Sequence, residues 1–400
     1  MRTMVKWLPL SSAVLLAACG GGGGVETVGS VAPPAGGSTP TPTPHTFIDP
    51  TEVKTYEGIG AVQHFEYSTR SDRSGQSGQL YAGDANTVRD SGISITYNPR
   101  DAIFELTINR PLGIVSTTAS RFQDPAHRTN FGGAREPQSG VPNFTSADIQ
   151  YLQSGSSSGT AIANGTNYAI GTKGYTSTTQ TLFYQKPGTT TTRYVTFAGY
   201  VRNQITTTEE QDDPTLPLYL KQAYSFDRAA FAFGERTANS SVPRTGTGSY
   251  TGSMVATAVL NPSLDDVSPN PTYFQWIEGT HKTDVNFATF AVASEFTGLV
   301  KAPTLDANTN GNFAIPAGWT FKAFSGATID LVNKGGFTGT FSSAYFLRPD
   351  LSRYSLVIAG SSIDGAFFGP NGEEIGGGFR IVGGTPDQRI DILGTFTGKK

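Results

Sequence analysis

The chain has 400 residues, with 29 Lys and Arg against 32 Asp and Glu, a formal net charge of -3, 48 glycines and one cysteine. A near-neutral surface with no basic block offers nucleic acid nothing to grip, and a lone cysteine excludes internal disulfides and cysteine-based zinc sites. High Gly and Thr with many Phe and Tyr favour strands and tight turns, so the chain is expected to be all-β.

At the N-terminus, Met1, Arg2 and Lys6 precede an apolar stretch from Trp7 to Ala18 that ends in Leu16-Ala17-Ala18-Cys19. A positive region, a short apolar region and small residues before the cut mark residues 1–18 as an export signal. The apolar run is shorter than the roughly 20 residues that span a bilayer. Leu-Ala-Ala-Cys resembles a bacterial lipobox, in which the cysteine is acylated (a palmitate-bearing lipid anchor) and becomes the first mature residue. Cys19 is therefore the expected lipidation site, and several acyl chains on one terminus anchor firmly. Gly20 follows it where an Asp would resemble an inner-membrane retention signal, so the outer membrane is the expected address. Residues 19–45 are almost all Gly, Ser, Thr, Pro, Val and Ala, a composition that cannot build a core and reads as a disordered linker.

The folded part is too long for one typical domain, which makes two the prior. Residues 92–97 and 102–108 alternate apolar and polar positions around Asn98-Pro99-Arg100-Asp101 and read as a hairpin. Further strands are expected at 179–184, 191–201 and 226–233, with 121–166, rich in Gly, Ser, Asn and Pro, mostly loop. The second half is more regular. Short strands are expected at 246–252, 285–290, 327–332, 336–341, 354–358, 364–368, 378–382 and 392–396, eight at even spacing, the pattern of an up-and-down barrel or a sandwich. Aromatics alternating with Gly suit a small closed barrel whose interior is filled by rings.

Two segments carry a family resemblance. Residues 365–379, Gly365-Ala366-Phe367-Phe368-Gly369-Pro370-Asn371-Gly372-Glu373-Glu374-Ile375-Gly376-Gly377-Gly378-Phe379, resemble the C-terminal signature of the transferrin-binding protein B family of surface lipoproteins. Phe233-Gly234-Glu235-Arg236-Thr237 with Val242 to Gly252 is similar to the opening of the same barrel domain. Gly372 departs from the Ala usual there, and the chain has room for one lobe where large members carry two. The resemblance implies an all-β fold: a β-rich handle-like domain at 46–230 and an eight-stranded antiparallel β-barrel at 231–400. It also implies a lipoprotein on the cell surface that captures an external ligand, a protein or a haem or metal carrier, for nutrient uptake such as iron acquisition. Expected partners are an outer-membrane lipoprotein translocon and a TonB-dependent receptor. The other reading is a structural or adhesive surface lipoprotein with no nutrient ligand.

The signature positions are Gly365, Phe367, Phe368, Gly369, Pro370, Glu373, Glu374, Gly376 and Gly377. Pro370 lacks a ladder donor and ends a strand, and Asn371-Gly372 is a strong turn pair. Glu373 and Glu374 either face a ligand or, as paired carboxylates on turns more often do, satisfy backbone amides or face solvent. Gly155-Ser156-Ser157-Ser158-Gly159 matches a nucleophile-elbow pattern in a low-complexity run with no strand-to-helix turn, a chance match. Asp306 to Gly311 begins like a calcium loop but has Ala317 in place of the twelfth-position Glu, and reads as a hairpin turn. His45, His64, His127 and His281 lack zinc spacing, and Glu278 to Lys282 reads as a loop. No nucleophile, base and orienter can be joined, so no enzyme, cofactor or metal is expected. Tyr151, Tyr273 and Phe274 are candidate ligand contacts because aromatics dominate binding hot spots.

Overall fold

The computed structural model describes residues 47, 50–83, 92–109, 117–123, 140–144, 148–159, 174–188, 190–261, 273–303, 315–385 and 388–400. Every regular element among them is a strand. The first ten are β1 (Lys54–Glu57), β2 (Ile59–Arg70), β3 (Ser77–Gly83), β4 (Ile93–Asn98), β5 (Ile103–Asn109), β6 (Thr117–Gln123), β7 (Ile149–Gly159), β8 (Tyr175–Gln185), β9 (Val195–Glu210) and β10 (Tyr219–Gly234). They build a four-stranded sheet, β1-β4-β5-β6, and a six-stranded sheet, β3-β2-β10-β9-β8-β7. The two sheets bury a shared core that includes Val62, Ile95, Phe104, Leu106, Leu182, Tyr200 and Phe231.

The remaining strands are β11 (Thr247–Asn261), β12 (Tyr273–Asn286), β13 (Ala291–Val300), β14 (Thr320–Asp330), β15 (Gly336–Leu347), β16 (Arg353–Ser355), β17 (Ile358–Phe368), β18 (Glu374–Thr385) and β19 (Gln388–Lys399). Eight of them run antiparallel in the order β14-β13-β12-β11-β19-β18-β17-β15, and β14 pairs with β15 to close the cylinder, while β16 hangs from β15. This is the eight-stranded antiparallel barrel expected from the sequence.

Side-chain alternation decides which face looks inward. On β11, Met254, Ala256 and Ala258 enter the barrel core, whereas Val255 packs with residues of the six-stranded sheet. The interior is filled by rings, among them Phe296, Phe337, Phe341, Phe367, Phe379 and Phe396. Glycines on neighbouring strands make room for them. A Cβ on Gly394 would lie 2.2 Å from Phe379 Cζ, and one on Gly365 would lie 2.1 Å from Phe337 Cζ. The Gly and Phe alternation is thus a set of notches and rings, filling a barrel of this size with side chains.

Several strands differ from the expected positions. Residues 285–290 hold the end of β12 and the tight turn before β13, and 354–358 straddles β16 and the first residue of β17. Glu278 to Lys282, expected as a loop, is the middle of β12, because the barrel face of that strand carries Gly279, His281 and Thr283 and the apolar alternation is masked. Within 121–166 the structure has β7, paired with β8 along eleven residues from Ile149 to Gly159. β10 runs unbroken across positions 230 and 231.

The six-stranded sheet lies against the barrel's outer wall. Phe183, Phe197 and Val201 meet Val255 and Trp276; Phe65, Tyr67, Tyr224 and Phe226 meet Val259 and Phe274; Ile59, Val195 and Ala232 meet Ala366 and Phe368. Polar groups join in: Thr257 Oγ1 donates to Gln63 Oε1 at 2.6 Å, and Trp276 Nε1 donates to the Gly140 carbonyl at 2.9 Å.

Candidate functional site

The signature segment sits at one end of the barrel, called here the near end, with the turns 287–290 and 331–335. β17 arrives with Phe367 in the barrel core and Phe368 in the contact with the six-stranded sheet. Gly369 turns the chain at φ 85° and Gly372 at φ 70°, conformations that glycine adopts without a Cβ penalty. Pro370 and Asn371 are exposed. Glu373 accepts hydrogen bonds from the Asn371 amide (2.9 Å) and Nδ2 (3.0 Å), closing the turn on itself.

Glu374 reaches across to the six-stranded sheet. Its buried carboxylate accepts the backbone amides of Arg193 (2.5 Å), Tyr194 (2.7 Å) and Val195 (3.2 Å), where β9 begins. Burial raises its pKa and the three amides pull it back, leaving it above the ordinary carboxylate value. Behind it, Gly376 lets Val195 approach: a Cβ there would lie 2.6 Å from Val195 Cγ2. Gly377 plays the same part for the backbone of β17, 2.2 Å from the Asp364 oxygen.

The connection from β10 to β11 completes this latch. The Gly369 amide donates to the Glu235 carbonyl (2.9 Å), and Thr237 donates from its amide to the Phe367 carbonyl (2.9 Å) and from Oγ1 to the Gly369 carbonyl (2.5 Å). The Glu235 carboxylate accepts from Lys54 Nζ (2.5 and 2.7 Å) and from Tyr56 Oη (3.2 Å), tying β1 to the same end. Both signature glutamates are therefore committed to backbone amides and present no ligand-facing pair. Glu235, which the sequence showed only as part of the barrel-opening segment, is a second carboxylate of the latch.

At the opposite, far end the six-stranded sheet outruns the barrel. Tyr224 and Phe226 still touch Val259 and Phe274, but β10 begins five residues earlier, at Tyr219, and β9 continues to Glu210. Five extended residues reach about 17 Å. At that tip Arg70 lies 3.4 Å over the Tyr219 ring and pairs with Asp72 (2.8 Å) and Asp212 (2.7 Å). Its hydrogen bonds hold both carboxyls below their ordinary pKa, and the bond from Tyr219 to Asp212 carries the phenol up to about 12. The clamp fixes a hairpin whose turn exposes Leu216 (51%) and Leu218 (37%). Arg70 and Asp212 are 142 residues apart, so nothing in their spacing marks them as partners.

The other candidate residues are dispersed. Cys19, His45, His127 and the Asp306 to Gly311 segment lie outside the described residues. Residues 155–159 form the end of β7 in regular pairing with β8, with no strained turn. His64 is buried between Asp227 (2.8 Å) and Glu66 (2.9 Å), and His281 is buried in the barrel against Phe296 and Phe396. Tyr151 donates to the Pro142 carbonyl (2.8 Å), and Phe274 is buried in the contact between barrel and sheet, which rules it out as an exposed contact. Tyr273 starts β12 at the far end. Among the described residues, no three His, Cys, Asp or Glu side chains are grouped to hold a metal ion.

With the cylinder and its latch defined, residues 242–400 match the family model described as the C-lobe and N-lobe beta barrels of Tf-binding protein B. The chain carries a transferrin-binding-protein-B-like C-terminal barrel. Solved structures of transferrin-binding protein B also align. A double mutant from Haemophilus parasuis is 12% identical, with 90% of this chain and 78% of that one covered at a TM-score of 0.30. The isotype 1 protein from serogroup B Neisseria meningitidis is 10% identical, with 88% and 77% covered at a TM-score of 0.23. No curated protein matches the chain.

Proposed function

We propose that the chain is an outer-membrane lipoprotein, acylated at Cys19 after removal of residues 1–18, that stands on the cell surface and captures an external ligand for nutrient uptake. In this reading residues 19–45 are the tether, β1 to β10 form a handle, and the barrel follows the 235–246 connection. The ligand is a host or environmental protein, or a haem or metal carrier. A translocon and a TonB-dependent receptor are the membrane partners.

The observation that carries the reading is the opposition of the two ends. The chain emerges from its N-terminal segment at Phe47, whose ring packs on Tyr56 and Phe233 beside the Glu235 latch, at the near end. The clamped hairpin with Leu216 and Leu218 is at the far end, where β11, β13 and β18 end. A tether at one end and exposed apolar side chains on a rigid hairpin at the other is the arrangement a capture protein needs. The family match to Tf-binding protein B barrels makes a protein ligand of the transferrin kind the first to try.

The test is protease shaving of intact cells expressing the full chain beside a Cys19→Ala variant, followed by affinity capture with transferrin, haemoglobin and haem as probes. Loss of the wild-type protein on shaving, with release of the variant from the membrane, is the expected result. Full protection of the wild type in intact cells places it in the periplasm and ends the surface-capture reading.

A further inference from the structure

Between the two handle sheets at the near end lies an open-mouthed cleft of about 100 Å³, lined by Phe47, Tyr56, Tyr97, Phe104, Tyr184 and Phe233, with Pro50, Pro187 and Thr196 completing its walls. The rings form two banks. On one, Tyr97 lies 4.5 Å from Phe104 and Phe104 lies 5.1 Å from Tyr184, centroid to centroid. On the other, Phe47 meets Tyr56 edge-on at 5.3 Å and Phe233 at 5.6 Å. Each bank draws on both sheets, Tyr97 and Phe104 of the four-stranded sheet with Tyr184 of the six-stranded one, and Tyr56 of the four-stranded sheet with Phe233 of the six-stranded one, so the space between them is set by the packing of the sheets and does not depend on one mobile side chain.

We propose that this cleft binds one uncharged planar aromatic ring, a ligand of phenol size. The volume suits it: an apolar cavity on the order of 150 Å³ takes benzene, and this cleft is somewhat smaller but open on one side. Among the described residues no charged side chain lines the cleft, and the Lys54–Glu235 ion pair beside Tyr56 is joined to itself. A charged guest would lose its hydration with nothing to replace it. Ring walls favour a ring guest over a saturated one of equal size, through offset and edge-to-face contacts. A phenolic hydroxyl would keep its water at the mouth. The cleft is at the opposite end from the hairpin proposed for capture, so each site can be tested without the other.

The experiment is ligand-observed saturation-transfer NMR on the full-length protein in detergent, titrating phenol and, in parallel, cyclohexanol. Phenol is expected to saturate below ~10 mM, a range consistent with the efficiency of small ligands, and cyclohexanol to bind at least about five-fold more weakly. Tyr97→Ala, which removes a half-exposed ring from one bank, is expected to weaken phenol binding by about five-fold or more. Tyr345→Ala, on the barrel's outer wall, is the control for loss by misfolding and is expected to leave binding unchanged. Equal binding of the two alcohols, no saturation, or full binding by a folded Tyr97→Ala protein overturns the proposal.

Discussion

Glu374, the first residue of a barrel strand, accepts the backbone amide of Tyr194 at 2.7 Å and so fixes the start of β9, in the six-stranded sheet, 180 residues earlier in the chain. Two further amides, of Arg193 and Val195, converge on the same carboxylate. Removing it takes the acceptor from three donors, one buried at Val195 and two partly buried at Arg193 and Tyr194, and an unsatisfied buried donor costs about 1–3 kcal/mol. Glu374→Ala is expected to lower unfolding free energy by about 3 kcal/mol or more, as read by urea denaturation. Glu373→Ala, which frees only its own exposed turn, is expected to cost under about 1 kcal/mol. Equal losses for the two variants would contradict the latch.

The notches inside the barrel make a second, sharper test. Gly394→Ala places a methyl 2.2 Å from Phe379 Cζ, so the ring or the strand has to move. Overpacking of this kind typically costs about 1–3 kcal/mol. Gly326→Ala, where a Cβ meets nothing within 4 Å, is the matched control and is expected to leave stability within about 0.5 kcal/mol. Thermal unfolding of both variants beside the parent distinguishes a notch from a generic effect of adding a methyl to a strand.

Two buried histidines impose opposite pH dependences. Burial, slightly offset by the Thr397 backbone, lowers His281 to about 4, so the folded state keeps it neutral while the unfolded chain titrates near its ordinary value. Its contribution is complete above about pH 6.5 and is lost as pH falls toward 4, a swing of about 3 kcal/mol. For His64 burial also works downward, but the bonds to Asp227 and then Glu66 outweigh it and the pKa is raised. That contribution is complete below about pH 6.5 and is lost as pH rises through the folded-state value. His281→Leu is expected to flatten the acid limb of a stability-versus-pH curve. His64→Gln is expected to destabilise more at pH 6 than at pH 9. Denaturation midpoints from pH 4 to pH 9 check both signs.

How far the fold was legible in the sequence follows from what each strand shows its two sides. β4 and β5 face one apolar core and one solvent surface, so Ile93, Ile95, Leu106 and Ile108 alternate cleanly with polar residues. β12 hides the same alternation, because its inward residues between Ile277 and Val285 are Gly279, His281 and Thr283, which read as polar or flexible. β7 is an edge strand ending in Ser and Gly, a composition shared with loops. The signature glutamates were visible as a pair, but Glu373 bonds within its own turn and the partners of Glu374 are amides at the start of β9, about 180 residues earlier. The clamp of Arg70 on Tyr219 and Asp212 was beyond reach for a similar reason: chain spacing carries no record of which hairpins end side by side.

The opposition of tether and hairpin predicts which surface faces outward. Cys19 is the single cysteine of the sequence and the proposed acylation site, so single cysteines introduced at exposed positions are clean reporters. Leu216, 51% exposed, is on the far-end hairpin, and Val332, 90% exposed, is on a near-end turn. Exposure alone would make Val332→Cys react faster with a bulky, membrane-impermeant maleimide. If the chain is anchored at Cys19 as proposed, the membrane would lie on the near-end side, so on intact cells Leu216→Cys is expected to label several-fold faster than Val332→Cys. In detergent, where both ends are open, the order is expected to reverse. Faster labelling at 332 on intact cells would mean that the near end points outward, and the capture site would have to be sought among the turns 287–290, 331–335 and 369–373.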